Sequence, residues 1–239
     1  MAKFCEKCGK PLVDGKCSEC PSVTIANTVE KNNGGIDFNK LISMVKEAFV
    51  KPVELIKKET NESNFALSWV IAGVGAVSMA LFIMAIFKSL YGILMSVMGL
   101  GSVYGSLSMS SMGFEVPYFQ VFIIGVVVYI LYSLLFSGLL SLISGKLFKG
   151  KLNFKNSFVL YQVSSIIMIV GLLVGAILSL IYMPLGLIVI MAASVLNFIY
   201  LINGIIEISG VNKNLVGYLY LIVLVAIYLI MFIVSKLFS

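Results

Sequence analysis

The sequence predicts an all-α protein: a polytopic helical membrane bundle of five transmembrane helices, preceded by a small four-cysteine zinc ribbon. Three observations carry that prediction. Mean hydropathy is +1.06, and 60% of residues are hydrophobic, against about half in a soluble domain. The apolar residues are segregated: 1–64 is polar and charged, whereas 65–239 is almost continuous Leu, Ile, Val, Met, Phe and Gly. All four cysteines fall within the first 20 residues. Together these describe a soluble head and a membrane body.

The zinc ribbon, residues 1–21 of the head, contains Cys5, Cys8, Cys17 and Cys20 as C-x2-C-x8-C-x2-C. Each CxxC turn can present two thiolates to one ion. Two such turns make a tetrahedral four-sulfur site, for which Zn2+ is the usual occupant. Gly9 and Gly15 sit beside the cysteine pairs, where backbone amides must approach sulfur. So short a ribbon has almost no core, so metal binding has to supply its folding energy. With four thiolates no coordination position is left for a reactive water, and the zinc is structural. The competing reading, two disulfides, requires an oxidising compartment.

Residues 22–36 follow as a flexible linker, with Asn27, Asn32, Asn33, Gly34 and Gly35 opposing any regular element. Residues 37–60 predict an amphipathic interfacial helix. Asp37 stands at its N-cap. Phe38, Leu41, Ile42, Val45 and Phe49 recur at helical spacing, and Lys40, Lys46 and Glu47 fall on other faces. Pro52 restarts or kinks it, and Leu55 and Ile56 extend the stripe. Such a helix suits the membrane interface, with lysines near headgroups.

Residues 61–239 form the transmembrane domain. Apolar runs long enough to span lie near 66–87, 118–144, 158–182, 185–207 and 216–236. Residues 89–113 are apolar but rich in Gly and Ser; they suit a sixth span, a re-entrant segment or a loop. The lysines choose. The 145–157 loop carries Lys146, Lys149, Lys151 and Lys155 and no acid, which assigns it to the cytoplasm. Five spans put the head, this loop and the Lys213 loop on one side, with 15 of the 17 lysines. Six would separate them. The expected protein is therefore multi-pass in the cell membrane, N-terminus cytoplasmic and C-terminus outside. No cleavable leader is expected, because the first apolar stretch is long enough to remain as a span.

The net charge of +6 reflects that topology. The head holds ten lysines against nine acids, so it presents no basic face for nucleic acid. Catalytic constellations are scarce. The chain has no His, and no Asp beyond Asp37, which excludes Ser–His dyads, His-ligated metals and intramembrane aspartate pairs. Glu115 and Glu207 are the only acids of the membrane body. Gln162, Asn197 and Asn203 are its strongly polar groups within spans, suited to interhelical hydrogen bonds. Small residues at four-residue spacing (Ala72/Ala76/Ala80, Ser137/Ser141/Gly145 and Gly171/Gly175) suit close helix packing, internal or between copies in a homo-oligomer. The expectation is a non-enzymatic protein.

Four stretches carry a family likeness. They are Phe49-Val-Lys-Pro52, the basic turn Gly145-Lys-Leu-Phe-Lys-Gly-Lys-Leu-Asn-Phe154, Tyr161-Gln-Val-Ser-Ser165, and Ile205-Ile-Glu-Ile-Ser-Gly-Val-Asn-Lys213. Over residues 45–239 the chain resembles the Yip family of five-span membrane proteins, whose eukaryotic members interact with Rab GTPases. The likeness implies a cytoplasmic N-terminus and a membrane-organising role. The acidic Asp-Leu-Tyr-Gly-Pro element of eukaryotic members is missing, which speaks against a Rab-type partner. The head separately looks like the zinc ribbons that open many bacterial membrane proteins. The expected function is a scaffold that docks a protein partner through the ribbon; the alternative is a transporter or permease for a small or lipidic solute.

Overall fold

The computed structural model describes residues 38–61, 65–97 and 117–237. The four cysteines, the linker, Glu115 and residues 98–116 lie outside them. Every regular element among the described residues is helical.

Two lead-in helices come first, α1 (Phe38–Val50) and α2 (Pro52–Asn61). Pro52 is the reason there are two, since a proline cannot donate the hydrogen bond that would continue α1. The Lys51 N–H still reaches Glu47 O at 2.7 Å, and the Leu55 N–H reaches Lys51 O at 3.1 Å, so the break is tight. Met44, Ala48, Leu55 and Ile56 are buried, while Ile42, Phe49 and Val50 are exposed. The apolar stripe of α1 thus serves two surfaces, one against protein and one outward.

The body contains α3 (Phe65–Val97), α4 (Tyr118–Phe148), α5 (Phe154–Ser164), α6 (Ile166–Ile181), α7 (Met183–Ile208) and α8 (Val216–Leu237). Helix α3 runs past the 66–87 apolar stretch and takes in Lys88. At 33 residues it measures roughly 50 Å, more than the ~30 Å hydrocarbon core. Four helices are long and apolar enough to cross a membrane, and α5 with α6 make a fifth if that pair, bent by 40°, is one span. The 158–182 stretch is therefore a broken helix. Pro184 opens α7, where a missing N–H costs nothing.

Helix α3 packs on α4 and α6, α6 lies along α7, and α8 packs on α4. The small residues sit where these helices approach. Ala72, Ala76 and Ala80 are almost fully buried. A Cβ placed on Gly171 would fall 2.3 Å from the Cβ of Ala193, so the Ala193 methyl packs directly on the α6 backbone. The Ala72/Ala76/Ala80 and Gly171/Gly175 stripes are thus used inside this chain, whereas Gly145 of the third faces open space. The main core joins Phe136, Leu140, Val159, Leu160, Leu201, Ile205, Leu219 and Val223.

The remaining surface is apolar. Only 17% of the α7 span and 39% of the α3 span are buried within the protein. Phe119, Ile124, Leu131, Ile177, Ile188, Met191, Tyr228 and Phe232 are among the large exposed side chains. Water would not tolerate such a belt, and a lipid bilayer accounts for it. The protein is a multi-pass membrane protein.

Candidate functional site

Two polar features interrupt this apolar body. The first is the junction between the lead-in helices and the bundle. Helix α2 lies across α5 and α7. Ile56, 1% exposed, sits over Gly204; a Cβ there would fall 2.5 Å from Leu160 and 3.2 Å from Ile56. One turn further along α7, Glu207 Oε2 meets Lys57 Nζ at 2.6 Å. Adjacent residues of α2 therefore make an apolar and an ionic contact with the same face of α7. Lys40 Nζ lies 3.9 Å from Glu59 Oε2, tying the start of α1 to the end of α2, and Glu59 is 1% exposed. The Lys51–Glu54 pair at the apex is exposed on both sides and contributes little.

Beside this junction lies an aromatic cluster. Phe158 packs against Trp69 (ring centroids 4.9 Å), Phe65 (5.6 Å) and Phe154 (6.1 Å). It gathers the first turns of α3 and α5 at one end of the bundle. The ends of α4 and α7 share that end, since the Lys151 N–H donates to Ser209 O at 2.8 Å. At the opposite end Ser89 Oγ donates to Ser179 O at 2.7 Å, joining α3 to the close of α6. Trp at a helix start suits the membrane–water interface.

The second feature is the break between α5 and α6. No Pro or Gly lies there. The Ser165 hydroxyl instead donates to Gln162 O at 3.0 Å, and such a back-bond competes with the helical ladder and bends it. Gln162 is fully buried. Its Oε1 accepts from Tyr129 Oη at 3.5 Å. Gln162 Nε2 and Ser164 Oγ have no hydrogen-bond partner among the described residues. Gly75 of α3 makes room, because a Cβ there would meet Tyr129 Oη at 2.3 Å. The break is thus an uncharged polar centre between three helices.

The sequence-predicted residues fall as follows. Gln162 lies in this centre. Glu207 lies at the hairpin junction. Asn197 and Asn203 are half-buried on α7, and Asn197 Oδ1 has no partner among the described residues. Cys5, Cys8, Cys17 and Cys20 lie outside the described residues. Among those described, no group of three or more His, Cys, Asp or Glu is placed to hold a metal. Tyr129, Ser165 and Lys57 were missed. Charge alone could have suggested Lys57, because Glu207 is the single acid after Glu115.

Fold and sites together define a multi-pass helical membrane protein with an ion-paired cap at one end and a polar break in its interior. Compared with family models, characterised proteins and solved structures, the chain matches none.

Proposed function

We propose that the chain is a non-enzymatic protein of the cell membrane, whose cytoplasmic zinc ribbon docks a protein partner while a Yip-like bundle organises its membrane surroundings. In this reading α5 and α6 are one broken span. Five crossings then leave the N-terminus inside and the C-terminus outside. Cys5, Cys8, Cys17 and Cys20 hold the zinc, whose role is to stiffen the ribbon. The observation that carries the proposal is the lead-in hairpin. The chain between head and membrane is not a loose tether at its membrane end, but is fixed to α7 through Ile56 over Gly204 and Lys57 on Glu207. A module docked on the head is tethered to that hairpin by the 22–36 linker.

The test is crosslinking in intact membranes, comparing the full chain with a variant lacking residues 1–36. Loss of a specific partner from the shortened chain supports the proposal. An unchanged partner set removes the ribbon as the docking module.

The polar break favours one second reading, a permease for a small solute. Broken helices with polar groups at mid-depth recur in transporter binding sites. Reconstituted vesicles would then take up a small polar solute from a panel, and Gln162→Leu would abolish the uptake. Absence of uptake by the unaltered chain would remove this reading.

A further inference from the structure

We infer that the paired loops closing α4 and α7 form a binding surface for the headgroups of anionic phospholipids. The inference requires a bilayer around the bundle, and depends on neither the ribbon nor a docked partner.

The surface is a pinned frame. Lys149 takes the left-handed conformation, φ 52°, and the Gly150 N–H donates back to Ser144 O at 2.9 Å, closing α4. The Lys151 N–H then crosses to Ser209 O in the other loop. Leu152 and Val211 are buried beneath. No space separates the loops, since a Cβ on Gly150 would fall 2.9 Å from Val211 and 2.2 Å from Ser144 Oγ. Asn153 Oδ1 accepts from the Asn156 N–H at 2.8 Å, and Asn212 Oδ1 from the Asn214 N–H at 3.0 Å, fixing the exits of both loops.

Five exposed lysines rise from this frame: Lys146, Lys149, Lys151, Lys155 and Lys213. Glu207, the acid of this region, is held by Lys57. Between the lysines stand exposed Leu147, Phe154 and Leu215. A topology signal needs positive charge on a loop. It needs neither a rigid frame nor interleaved apolar side chains. A soluble phosphate would use the lysines alone. A phospholipid uses both, with phosphate on the ammonium groups and glycerol and upper acyl carbons on Leu147, Phe154 and Leu215.

The test measures binding of short-chain phosphatidylglycerol and phosphatidylcholine to the purified full chain in mild detergent, by native mass spectrometry. Lys149→Gln/Lys151→Gln alters the pinned turn, and Lys155→Gln/Lys213→Gln alters its flanks. Each leaves three loop lysines to hold the topology. Lys88→Gln/Lys236→Gln removes the same charge from exposed lysines outside the loops. The expected result is a loss of phosphatidylglycerol binding by roughly fivefold per loop lysine. Phosphatidylcholine binding and the Lys88→Gln/Lys236→Gln variant should be unchanged, and added inorganic phosphate should not compete. Equal loss in the Lys88→Gln/Lys236→Gln variant, no loss in the loop variants, or displacement by inorganic phosphate would overturn the inference. If Lys149→Gln/Lys151→Gln does not fold, the flank variant decides.

Discussion

Lys57 reaches Glu207 across 2.6 Å, joining α2 to the last turn of α7. The two residues belong to opposite parts of the sequence, yet Lys57 directly follows Ile56 and Glu207 stands one turn beyond Gly204, its packing partner. The pair therefore sets the register of a helix that is already seated by packing.

Glu207→Gln should loosen the hairpin without unfolding the bundle. The expected readout is faster hydrogen exchange across residues 38–61, with little change in α3 or α6. Exchanging the charges, Lys57→Glu with Glu207→Lys, should restore much of the protection. Unchanged exchange in the single variant would show that the pair orders nothing.

The α6–α7 contact gives a prediction of stability. Gly171→Ala has no room, because the obstructing atom is the Cβ of Ala193 and not a movable side-chain end. The helices must separate, at a cost of about 1–3 kcal/mol. Gly73→Ala faces open space and should be neutral or stabilising by up to about 1 kcal/mol. Thermal denaturation in detergent separates the two. Equal effects would contradict the packing described.

At the helix break, Tyr129→Phe and Gln162→Leu should be non-additive. Removing one partner strands the other in a dry interior, whereas removing both leaves two apolar surfaces. A double-mutant cycle should give a coupling of about 0.6–1.7 kcal/mol. Additive effects would mean that the 3.5 Å approach is not a working hydrogen bond.

For the head, metal analysis of the purified chain should find one zinc per molecule, and Cys8→Ser should lose it. Retained stoichiometric zinc in that variant would refute the four-thiolate site.

The apolar character of the body was legible because it is a local property: runs of Leu, Ile and Val identify membrane helices wherever they fold. Pro52 likewise announced a change of helix. The break at Ser164–Ser165 was not legible. It lacks Pro and Gly, and depends on which way one serine hydroxyl turns. Lys57–Glu207 and Tyr129–Gln162 were hidden for a different reason. Each joins helices that only tertiary packing brings together, and hydropathy carries no information on helix rotation. The small-residue stripes could be read as close-packing surfaces, but not as internal ones until Gly171 was found against Ala193 and Ala80 within the core.

Trp69 is the one tryptophan in the chain, and it is 42% exposed while its ring lies tilted against Phe158. The protein therefore carries a single tryptophan, excited selectively above the tyrosine band, at the end of the bundle where the lead-in hairpin docks. Its emission is a built-in gauge. Brominated lipids of graded bromine depth would report how far that end lies below the headgroups, and any movement of α5 under the hairpin would register as a change in colour and intensity without a label.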